Sequence, residues 1–291
     1  MTALEMGQDA FKILVLKRNY EMDAAKHQAE KKKLNAFGLM SKFNLLKRPT
    51  DDTVHLQNQT LRYEPFWYYA CEREVVYDHV VTYSVPVANP HAQSIEVRND
   101  AGDAPTFNIM GEKDKRRIDV EVTEKCRRKI AFDNYLDGLK RDIKVPTLAN
   151  YTNKNKFKYS EIEQSEIENA LIPLIPKQAV EALSGTELQK HVINASRVHE
   201  DRETITKLHL FYRPVYAFQF SWGSADKLGV IEVDGLTGEL IENGNWFQEG
   251  LDRALTRENL ISLSGDVAGA LLPGSGTVVR MAAEFIPPSG R

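Results

Sequence analysis

Every second residue from Leu208 to Trp222 is apolar or aromatic: Leu208, Leu210, Tyr212, Pro214, Tyr216, Phe218, Phe220 and Trp222. A β-strand sends alternate side chains to opposite faces, so this run specifies a strand with one continuous apolar face. A second apolar stretch, 228–234, follows after the short loop 223–226, which predicts an antiparallel hairpin. An earlier run matches the first. Tyr63 aligns with Tyr212, Pro65 with Pro214, Trp67 with Tyr216 and Tyr69 with Phe218. The match raises an internal repeat of one sheet-building unit. Proline cannot donate to a ladder, so each strand is expected to have an edge or bulge at that point.

The 291 residues allow one large or two medium domains, with enough chain to bury a core. The net charge of -3 provides no global field for nucleic acid. Two cysteines, Cys71 and Cys126, are too few for a disulfide framework or a zinc finger. The apolar stretch 11–16 is short and broken by Lys12, so no signal peptide is expected, and no run approaches a membrane span. The expectation is a soluble, cytoplasmic protein.

The predicted fold class is α+β. Two antiparallel sheet units with packed helices follow a helical N-terminal segment and precede C-terminal helices. The boundaries are 1–50 for the helical segment, 51–145 for the first sheet unit, 160–250 for the helix-plus-hairpin unit and 251–291 for the helical appendage. Residues 3–48 are rich in helix formers, although 11–16 also reads as a strand. Strands are expected over 61–71 and 75–87, with Glu72-Arg73-Glu74 as the turn, and residues 133–143 read as helix. Ser160 and Ser165 have capping-box spacing, Pro176 suits a first helical turn, and Thr186 starts a further helix.

Ile231-Glu232-Val233-Asp234-Gly235-Leu236-Thr237-Gly238-Glu239 resembles the closing hairpin of PepSY-type modules, in which a strand ends in an Asp-x-x-Thr-Gly-Glu turn. The resemblance implies a small helix-plus-antiparallel-sheet unit and a role in inhibition or protein binding.

Motifs for chemistry are sparse. The seven histidines form no HxH or HxxxH pair. No phosphate loop, dinucleotide fingerprint or nucleophile elbow is present. Cys71, His79 and Cys126 could meet on paired strands as a nucleophile pair, but Cys71 shares its alternation face with Trp67 and Tyr69 and reads as core. Neither catalytic residues nor a cofactor is therefore assigned. Elemental analysis of the purified protein is expected to return no stoichiometric transition metal.

The basic segment 26–48 includes Lys31, Lys32 and Lys33, but its apolar residues do not segregate to one face. It reads as a solvated helix with weak, salt-screened attraction to anionic membrane or nucleic acid. The favoured function is a non-enzymatic protein-binding or accessory protein, with Phe66 and Tyr68 as aromatic contacts. The alternatives are a hydrolase-like enzyme with a site not visible in the sequence, and an adaptor contacting anionic membrane or nucleic acid through the basic segment 26–48, with Lys31, Lys32 and Lys33 as candidate contacts.

Overall fold

The computed structural model describes residues 4–37, 48–98, 102, 104–112, 115–163 and 167–241. In chain order the elements are β1 (Leu4–Met6), β2 (Phe11–Leu16), α1 (Met22–Lys31), β3 (Val54–Pro86), β4 (Ser94–Glu96), β5 (Thr106–Asn108), β6 (Arg117–Asp137), α2 (Val145–Tyr151), β7 (Tyr159–Glu161), α3 (Lys177–Gln189), β8 (Arg197–Trp222), β9 (Lys227–Asp234) and β10 (Leu240–Ile241). The described chain is thus mostly strand. Eight strands hydrogen-bond into one mixed sheet, while β4 and β5 pair only with each other. This corrects the α+β expectation of two antiparallel sheet units with packed helices.

The differences have local causes. Most of the expected N-terminal helix is replaced by β1, β2, the ten-residue α1 and a 3₁₀ turn at Lys33–Phe37. The β-prone run Phe11–Leu16 finds a parallel partner in β8, from Phe11↔Leu208 to Val15↔Tyr212. Glu72, Arg73 and Glu74 do not interrupt β3, because they find partners on neighbouring strands. Arg73 forks onto Asp201 at 2.8 and 2.7 Å, and Glu74 pairs with Arg127. The predicted helix at 133–143 is the end of β6 followed by a turn, and Ser160 lies in β7, paired with β2. The helix after Pro176 is present as α3 and absorbs the start expected at Thr186. The expected C-terminal helices at 251–291 lie outside the described residues.

The chain divides into two compact units. Among the described residues, the smaller comprises 4–5, 71–132 and 185–204, and the larger 6–70, 133–184 and 205–241, masked positions excepted. In the smaller unit β6, β3 and β8 bring charged side chains into cross-strand pairs. Lys125 and His199 both reach Asp78, at 2.9 Å each, and His79 faces Glu124 at 3.3 Å.

In the larger unit β8 and β9 form the expected hairpin, from Val215↔Asp234 to Trp222↔Lys227. Tyr216, Phe218, Phe220 and Trp222 make one core with Ala25 and Ala29 of α1. Phe66 and Phe211 make a second core with Leu148 and Tyr151 of α2.

Residues aligned between the two aromatic runs make matching contacts in this unit. Tyr63 bridges Ala170 in parallel, as Tyr212 pairs with Val15. Gly138 N–H donates to Pro65 O at 3.0 Å, and Gly235 N–H to Pro214 O at 2.9 Å. A Cβ on either glycine would lie within 2.7 or 2.9 Å of that oxygen, so only glycine fits the approach. Gly138 O accepts from the N–H groups of Leu174 and Ile175, and Gly235 O from those of Asn19 and Tyr20. Trp67 Nε1 donates to Ile175 O at 2.9 Å, and Tyr216 OH to Tyr20 O at 2.6 Å. α3 and α1 each begin two residues later.

Along β8 the pairing with β2 ends at Tyr212 and that with β9 begins at Val215, so Pro214, which has no N–H to donate, falls between the two sets of partners.

Candidate functional site: a buried charge cluster

The aligned position between Tyr and Pro holds Glu64 in one run and Arg213 in the other. Both side chains point into the larger unit and meet at 2.8 Å. Glu64 is 0% exposed and accepts hydrogen bonds from three arginines. Its Oε1 takes Nε and Nη2 of Arg62 at 3.0 and 2.6 Å. Its Oε2 takes Arg141 Nη1 at 2.7 Å and Arg213 Nη2 at 2.8 Å.

The cluster extends outward from this centre. Arg62 also reaches Glu232 at 2.5 Å. Arg141 forks onto Asp137 at 2.8 and 3.1 Å. Arg213 Nη1 donates to Asp234 at 3.0 Å and to the Tyr151 hydroxyl at 2.9 Å, and that hydroxyl donates to Asp234 at 2.5 Å.

Burial alone would favour a neutral Glu64, but Arg62, Arg213 and Arg141 overcome it and hold the carboxyl well below the usual carboxylate range. Burial likewise works against charge on Arg213, where Glu64, Tyr151 and Asp234 more than compensate. Burial pushes the Tyr151 phenol up, with Arg213 acting against the shift and Asp234 with it, so the hydroxyl stays protonated and donates.

Three guanidinium groups face four carboxyl groups, which leaves no surplus cation for an anionic ligand. The donors and acceptors point at one another across β3, β6, β8, β9 and α2. Such an arrangement locks strands in register and is poorly placed to reach a substrate.

The Asp234 turn has a local explanation. Asp234 Oδ1 accepts from Leu236 and Thr237 N–H at 2.7 and 3.1 Å, and Gly238 takes a positive φ of 73°. Asp137 does the same for Leu139 and Arg141 N–H, at 3.2 and 2.9 Å.

The expected contact residues are scattered. Phe66 is 1% exposed and stacks on Phe211 at 5.1 Å, so it is a core residue in the larger unit. Tyr68 is half-buried against Tyr135 and His209. Lys31 ends α1, Lys32 caps it, and Lys33 pairs with Asp51 at 3.4 Å. Lys31 and Lys32 are exposed. The remaining basic residues from Lys42 to Lys47 lie outside the described residues.

Cys71 is buried and donates to Phe132 O at 3.6 Å, while the His79 ring faces Glu124. The geometry therefore gives His79 a carboxylate partner. Among the described residues, no group of three or more His, Cys, Asp or Glu is placed to hold a metal, and no helix is long and apolar enough to cross a membrane.

Sequence reasoning missed the cluster. The available signal was a charge at the same position in two strands otherwise made of aromatic residues. No protein-family model, curated protein or solved structure matches the chain.

Proposed function

We propose that the protein acts by binding another protein and is not an enzyme. The observation that carries this reading lies in the smaller unit. At the end of β3, Val80, Tyr83 and Val85 are 42%, 50% and 45% exposed. Residues 82–86 are exposed at successive positions, so both faces of this strand are open in the unit. Aromatic and branched side chains on both faces of a strand suit a partner that covers them. The charge cluster of the larger unit supports the non-enzymatic half of the reading, since its ionisable groups are buried, Arg141 only partly, and engaged with one another.

The test is site-specific photo-crosslinking in cells from a benzophenone residue at position 83 or 85, with exposed position 128 as control. The expected result is one discrete protein adduct from 83 and 85 and none from 128. Absence of adducts at all three positions would remove the reading. So would turnover in a hydrolase screen that a single substitution abolishes.

The matching contacts of the larger unit further support a duplicated β–α–β–β unit. In this reading the strand and helix that open each copy dock on the sheet of the other. Glu64 and Arg213 are then equivalent residues that diverged to opposite charge.

A further inference from the structure

Helix α2 covers Phe66 and Phe211 on one face of the sheet in the larger unit. Two residues further along the same strands, on the same face, stand Tyr68 and His209. They belong to an aromatic row. Tyr135 lies 4.7 Å from Tyr68, Tyr68 lies 5.9 Å from His209, and Lys12 is the strand partner of His209. Tyr68, Tyr135 and His209 are all partly exposed. At the margin, Lys154 lies over the Tyr159 ring at 5.5 Å, and Tyr159 meets Phe211 edge-on at 5.4 Å. Lys154 and Lys207 are exposed. Acidic groups are also present: Lys12 is paired with Glu161 at 2.7 Å, and Asp133 lies near Tyr68. Burial first, then Lys207, Lys12 and Lys154, lower the His209 pKa, so its ring is neutral at neutral pH.

We propose that this shelf binds single-stranded nucleic acid, with bases against Tyr68, Tyr135 and His209 and phosphates against Lys154 and Lys207. Partly exposed rings in contact along one face of the sheet, tilted at 35° and 59° to one another and flanked by exposed lysines, offer ring faces and edges to unstacked bases joined by phosphates. An acidic peptide would use the lysines but leave the ring row without a role. The inference is independent of the protein-binding reading, since the shelf belongs to the larger unit and the exposed end of β3 at 80–86 to the smaller.

The test is fluorescence anisotropy of labelled oligo(dT) and oligo(U) with the full chain, at about 50 mM and about 200 mM salt. Saturable binding that weakens with salt is expected. Combining Tyr68→Ala with Tyr135→Ala should lower affinity about tenfold or more, whereas Tyr68→Phe with Tyr135→Phe should preserve it. Lys154→Glu with Lys207→Glu should weaken binding and reduce the salt slope by about 1.4. Replacing Lys31, Lys32 and Lys33 with Glu should change neither quantity. Thermal melting checks that each variant is folded, and the phenylalanine and lysine pairs carry the test if the alanine pair is not. The proposal fails if neither oligonucleotide binds at the lower salt. It also fails if the folded tyrosine and lysine variants bind like the parent, or if polyglutamate competes equally well.

Discussion

Replacing Glu64 with glutamine is expected to cost about 3–5 kcal/mol of folding stability. The amide keeps the shape of the carboxylate but removes the charge that three guanidinium groups share. Arg62, Arg141 and Arg213 would then stand together with their repulsion less compensated, the first and last of them buried and Arg141 partly so. The loss is a large part of the roughly 5–15 kcal/mol that holds a typical domain folded. Urea unfolding monitored by tryptophan fluorescence measures it, and a loss below about 1 kcal/mol would show that the cluster is not a lock.

The pH dependence supplies a second readout. The folded pKa of Glu64 lies below its unfolded value, so its contribution is complete above the ordinary carboxylate range, near pH 4, and is lost as pH falls through the folded value. The parent should keep this contribution through mild acid and lose it only in strong acid. The glutamine variant should lack that acid-dependent component, giving a flatter stability curve there.

Replacing Phe218 with alanine is expected to cost a similar amount, about 3–5 kcal/mol, for a different reason. The ring is 0% exposed, sits opposite Ile231 on β9 and shares the core that receives Ala25 and Ala29 of α1. Its removal opens a cavity in the core beneath a helix whose buried residues are alanines. Leu228→Ala on the same hairpin is the control. Leu228 is 51% exposed, so its truncation should change stability by less than about 1 kcal/mol. Equal effects from the two substitutions would contradict the packing argument.

The hairpin of β8 and β9 was legible because its apolar alternation is long and its loop short. The matched run at Tyr63 was legible for the same reason, but nothing in it pointed to the glycines that approach Pro65 and Pro214. Composition over the first 48 residues favoured helix over the strand that 11–16 also suggested, because the strand's partner in β8 lies almost two hundred residues away. Glu72-Arg73-Glu74 resembled a turn because local polarity cannot reveal Asp201 or Arg127 waiting on adjacent strands. The charge cluster was the least legible feature. Its members are spread from Arg62 to Asp234, and each alone looks like an ordinary solvated charge. Only topology brings them together.

The pairing of the opening segment of the chain with β8 and β9 also constrains the order of events on the ribosome. α1 and the residues before it emerge early, but the hairpin carbonyl and aromatic face they rest on are made about 200 residues later. At about 5–20 residues per second this is roughly 10–40 seconds, during which the alanine face of α1 lacks its β8 and β9 cover. The first half of the chain cannot complete its core as it leaves the exit tunnel. Completion of the core in the larger unit therefore waits for β8 and β9.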